Sequence, residues 1–83
     1  MSDRLAIEVD DYWPEDTDED EGVVVDWFTR EGRTVTEGDV LCEIQVEKAS
    51  VDVLAPADGE VAEIAVGEDE EFAHGDVLAW IEG

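Results

Sequence analysis

A shift of 37 residues lays Gly22 on Gly59, Val24 on Val61, Trp27 on Ile64 and Val35 on Phe72. The same shift lays Gly38-Asp39-Val40-Leu41 on Gly75-Asp76-Val77-Leu78 and Ile44 on Ile81. Two copies are too few for a solenoid, which needs about three or more stacked units to bury a continuous core. The repeat therefore predicts two similar units packed face to face within one small core. With 83 residues in all, no second domain is expected, and residues 1–83 read as a single domain whose first four residues are loosely held.

Within each copy the apolar stretches are short and broken every few positions by turn residues, with no sustained 3.6-residue stripe. The fold class this predicts is all-β. The candidate strands are Leu5–Val9, Gly22–Trp27, Thr34–Val35, Val40–Gln45, Ser50–Val53, Glu60–Ala65, Glu71–Phe72 and Val77–Ile81. Gly32, Gly38 and Gly75 fall in polar connections. Asp58-Gly59 reads as a turn dipeptide in which glycine takes a positive φ. Trp27 and Trp80 lie in strands of the two copies and are expected to fill the core.

Between the copies, Ile44, Val46, Val51 and Val53 flank a short polar centre. That pattern suits a tight hairpin with its arms tied to a sheet and Glu47-Lys48 at its tip. Pro56, which lacks a backbone donor, suits the connection into the second copy. The lone Cys42 lies in an apolar stretch and reads as a small buried side chain without a partner thiol.

Charge removes several function classes. Twenty-six acidic residues against four basic ones give a formal net charge of −22. Nucleic acid and anionic membrane would meet a repulsive field, although a decoy that imitates an acidic partner stays open. The acids are spread along the whole chain, which fits a cytoplasm of high salt, where the Debye length shrinks to about 3 Å at 1 M. No apolar run approaches the roughly 20 residues of a membrane span, and the N-terminus has no signal-peptide pattern, so the expected location is cytoplasmic.

Three of the four basic residues are arginines, and the sole lysine, Lys48, stands at the expected hairpin tip. A guanidinium would keep the charge, but only an ε-amine readily forms a simple amide, so the lysine points to acylation rather than to charge. His74 sits in a turn with no second histidine or cysteine at metal spacing and reads as a turn residue. The acidic run from Glu15 to Glu21 lacks the glycine and terminal glutamate of a calcium loop, and no metal site is expected. Tyr12 and Trp13 follow the first strand; they are candidates for a partner contact or, more simply, for covering a core edge.

Taken together, Gly32, Val35, Leu41, Ile44, Lys48-Ala49-Ser50, Val53, Gly59 and Val61 resemble the attachment pattern of the biotin/lipoyl attachment domains over nearly the whole chain. The resemblance implies a flattened barrel-sandwich of two four-stranded antiparallel sheets with pseudo-twofold symmetry and the lysine on a hairpin tip. Glu47-Lys48-Ala49 looks like the lipoyl version, because biotin carriers typically place methionine on both sides of the lysine. By resemblance, Lys48 would carry lipoate as a covalent amide, and Glu47 and Ala49 would help a lipoate-attaching enzyme to position it. The implied role is a non-catalytic carrier, a swinging arm reaching roughly a dozen ångströms at bond lengths of about 1.5 Å. Its implied partners are a thiamine-dependent 2-oxo acid decarboxylase, an acyltransferase and dihydrolipoyl dehydrogenase. Alternatives are a biotin carboxyl carrier, a glycine-cleavage lipoyl carrier, and an unmodified adaptor or acidic decoy. The family's usual Pro-x-x-Gly after the first strand is absent, and Asp10–Glu15 stands in its place.

Overall fold

The computed structural model describes residues 4–15 and 17–83. Eight strands form in chain order: β1 (Arg4–Glu8), β2 (Glu21–Trp27), β3 (Thr34–Val35), β4 (Val40–Val46), β5 (Ala49–Leu54), β6 (Gly59–Ile64), β7 (Glu71–Ala73) and β8 (Val77–Glu82). All eight predicted strands are present, with ends shifted by at most a residue or two. Val9, assigned to the first strand from the sequence, instead opens a 3₁₀ turn over Val9–Tyr12. The first strand begins at Arg4, which pairs with Glu82; Met1, Ser2 and Asp3 lie outside the described residues. No helix is long and apolar enough to cross a membrane among the described residues.

The strands make two antiparallel four-stranded sheets, ordered β1-β8-β6-β3 and β5-β4-β2-β7. Advancing each strand of the first sheet by four places in the cycle of eight yields the second order. This is the pseudo-twofold relation that the repeat predicts. Its local signature is a pair of matching turns. Thr36 N–H donates to Asp39 Oδ2 (2.9 Å) in one and Ala73 N–H to Asp76 Oδ2 (2.8 Å) in the other. Gly38 and Gly75 occupy the same left-handed position, with φ of 93° and 96°. A Cβ is disfavoured there, and the aspartate one residue on closes each turn through its carboxylate.

Between the sheets lies one core. Val24, Leu41, Ile44, Val46 and Val53 from one sheet meet Ile7, Val61, Leu78 and Ile81 from the other, all essentially without exposed surface. Cys42 is buried in the same cluster, and desolvation pushes its thiol up to about 12. The tryptophans depart from expectation. Trp27 packs on the edge of the core, half-buried, with its indole N–H donating to the Val66 carbonyl at 2.8 Å. Trp80 is also only half-buried, since the pleat that turns Ala79 and Ile81 inward turns it outward beside Ala6 and Glu63.

Gly59 is not a left-handed turn residue. It begins β6, where an added Cβ would lie 2.7 Å from the Glu82 carbonyl oxygen and 2.7 Å from Ile81 Cγ2. Its repeat partner Gly22 is similarly crowded, by Phe72 and the Gln45 carbonyl. Both glycines exist to let neighbouring strands approach.

Candidate functional site

The β4–β5 hairpin is the tightest connection in the molecule. Val46 pairs with Ala49, which leaves Glu47 and Lys48 as its two turn residues. Below the turn the register continues through Gln45 with Ser50 and Ile44 with Val51. Ile44, Val46 and Val53 are buried and Val51 is half-buried, so the arms are fastened to the core while Glu47 and Lys48 stand in solvent. Two-residue hairpin loops favour positive φ because that twist matches the flanking strands. Glu47 adopts φ 57°, an uncommon conformation for a residue with a Cβ.

Side chains hold Glu47 in that conformation. The Thr17 hydroxyl donates to Glu47 Oε2 at 2.7 Å, and the Gln45 side-chain amide donates to the Glu47 carbonyl at 3.3 Å. The Thr17 hydroxyl also accepts from the Glu19 amide at 3.1 Å, which orders the acidic connection where it meets the hairpin. Neither Thr17 nor Gln45 was singled out in the sequence. Thr17 had a signal: it is the one neutral side chain between Glu15 and Glu21. Asp16, within that run, lies outside the described residues.

Lys48 is exposed and makes no ion pair with a described residue. On one flank lies a groove bordered by Pro14, Glu15, Thr17 and the turn itself; on the other, a groove bordered by Glu19, Glu21, Glu47, Asp69 and Glu71. The ε-amine thus stands clear of the core in an acidic setting, free to be approached by an acylating enzyme. An amide formed there would remove one of only four basic charges and leave the core untouched.

Tyr12 and Trp13 are held against the core. The Tyr12 hydroxyl donates to the Leu54 carbonyl at 2.6 Å, and burial chiefly raises its pKa above the usual value. Trp13 meets Phe72 and His74 edge-on, with ring centroids 5.9 and 4.8 Å apart. These rings cover a core edge, the simpler of their two readings. His74 lies in the Ala73–Asp76 turn, its Nε2 3.4 Å from Asp10 Oδ1.

Comparison with known proteins bears on this hairpin. The family model described as "Biotin-requiring enzyme" matches residues 16–81. The dihydrolipoyllysine-residue acetyltransferase component of the pyruvate dehydrogenase complex from Staphylococcus aureus is 40% identical over 62 residues, 75% of this chain. Its counterpart from Staphylococcus epidermidis matches with the same identity and coverage. The chain spans 14% of the length of these relatives. In solution, the lipoyl domain of the 2-oxoglutarate dehydrogenase complex from Azotobacter vinelandii has the same architecture. It superposes with a TM-score of 0.71 and 27% identity, covering 94% of this chain and 92% of that one.

Proposed function

Because the chain belongs to the biotin/lipoyl attachment family, we propose that Lys48 carries lipoate as an amide and that the domain is a swinging-arm carrier for a 2-oxo acid dehydrogenase-type complex. One observation carries the reading: the sole lysine is a turn residue of a two-residue hairpin whose arms are buried and whose tip is solvated. The setting fits such a group, since an exposed amine without an ion pair to a described residue needs no rearrangement to be acylated.

When bound, lipoate supplies a disulfide that accepts an acyl group and two electrons. The chain's own residues bind and present it. Val46 and Ala49 fix the turn, Thr17 and Gln45 fix Glu47, and the rigid barrel keeps the arm's root still while its far end moves. Tethering in this way raises the effective concentration of the carried group at each partner site. The partners proposed are the lipoate-attaching enzyme, a thiamine-dependent 2-oxo acid decarboxylase, an acyltransferase and dihydrolipoyl dehydrogenase. The proposed location is the cytoplasm of a high-salt organism.

Glu47 and Ala49 favour lipoate over biotin, and the two relatives named above are likewise dihydrolipoyllysine proteins. Incubation with lipoate, ATP and a lipoate-attaching enzyme is expected to add a single lipoyl group to the wild-type chain and none to Lys48→Arg. Equal modification of the variant, or modification only by a biotin-attaching enzyme with capture on avidin, would overturn this reading.

A further inference from the structure

Arg30 and Arg33, two of the four basic residues, stand on one tight turn after β2, where the Arg33 amide donates to the Arg30 carbonyl at 3.1 Å. Both are exposed, and neither forms an ion pair with a described residue. In a chain of net charge −22 that is unexpected, and the nearby acids explain it. The Glu31 carboxylate accepts from the Ile64 amide at 2.9 Å, and Asp39 Oδ2 accepts from the Thr36 amide at 2.9 Å. With these carboxylates turned to the backbone, two guanidinium forks are left facing a groove whose lining holds Asp39 as its one acid. The two grooves flanking Lys48 have the opposite balance.

The same end of the molecule carries apolar surface. Phe28, beside the two arginines, is 56% exposed and also lines the groove, as does Val40 at 40%. Val40 is paired across the sheet with Leu54, 41% exposed. Three of the five exposed large apolar side chains among the described residues therefore gather where two cations stand without a described ion-pair partner. Aromatic and arginine side chains together are the composition of interface anchors, and a guanidinium fork matches a carboxylate in two parallel hydrogen bonds.

We propose that this groove docks an acidic polypeptide segment of a partner protein, its carboxylates on Arg30 and Arg33 and an apolar side chain on Phe28 and Val40. Charge complementarity selects that occupant: in a chain of net charge −22 this groove sets two cations against one acid, whereas both grooves beside the hairpin turn hold more acids than cations. The position suits a carrier. Val40 opens β4 and the hairpin follows its last residue, Val46, so the groove lies roughly 20 Å along the strand from the turn. A partner held there leaves Lys48 free, and the inference stands whatever Lys48 carries.

The test is a nuclear magnetic resonance titration of the full chain with a capped peptide of glutamates around one phenylalanine. It is run at about 1 M KCl, where a Debye length of about 3 Å confines the overall repulsion. Saturable amide shifts are expected at Phe28 to Val35 and at Val40, with the hairpin turn unmoved. Arg30→Gln with Arg33→Gln is expected to weaken binding about tenfold or more, in keeping with arginine anchors. Phe28→Ser, at an exposed position, reads the apolar half separately and is also expected to weaken binding. Absence of shifts at these residues, or undiminished binding by the variants, would overturn the proposal. So would shifts at the groove that grow with protein concentration before peptide is added, which would assign it to a second copy of this chain.

Discussion

Thr17 and Glu47 are 30 residues apart in sequence, yet one hydroxyl joins them at 2.7 Å. Glu47 precedes the lysine and holds a positive φ, so this bond bears on how the turn is presented to another protein. Thr17→Val removes the donor without disturbing the core and is expected to slow enzymatic lipoylation about five-fold, the size of one net hydrogen bond. Thr17→Ser keeps the hydroxyl and should restore the rate; equal rates for all three proteins would sever Thr17 from presentation. Cys42 offers a second residue-level check. Its folded pKa of about 12 lies above the ordinary 9.0, so burial favours the neutral thiol. The stability this provides is complete below pH 9.0 and is lost as pH rises towards 12, at about 1.4 kcal/mol per unit. Urea midpoints should fall between pH 9 and 11 in the wild type and fall less in Cys42→Ala, where the contribution of the buried thiol is gone. A midpoint unchanged with pH would contradict the burial argument.

Between β6 and β8, a methyl group added at Gly59 would meet the Glu82 backbone as well as the Ile81 side chain, so a side-chain rotation alone could not make room for it. Gly59→Ala must push the strands apart, and it is expected to destabilise the fold by about 1–3 kcal/mol, read from its urea midpoint; an unchanged midpoint would refute the close approach. The strands and the hairpin were legible in the sequence because short apolar alternation and paired turns are local signals, repeated twice. What stayed hidden depends on distant chain. The crowding at Gly59 comes from β8, and the Thr17 contact comes from across the molecule. Trp80 follows from register: irregularities between Val61 and Glu63 and between Ile7 and Glu8 interrupt the simple two-residue period on both neighbours of β8.

For the molecule as a whole, acid outweighs every compensating contact. The ion pairs of Arg4 with Glu63 and Glu82 are at least half-exposed on one side. Such contacts contribute little, so the net charge of −22 is opposed chiefly by salt. Dilution from about 1 M to about 0.1 M lengthens the Debye length from about 3 to about 10 Å, and the melting temperature should fall, by roughly 4–8 °C for each kcal/mol of repulsion regained. A melting temperature independent of salt would contradict adaptation to a saline cytoplasm. Carriage of lipoate on the one lysine is tested by intact-mass and peptide mass spectrometry of the chain purified from its native host. A single lipoyl amide at Lys48 is expected. A biotinyl group there, or a wholly unmodified lysine in cells supplied with lipoate, would contradict it.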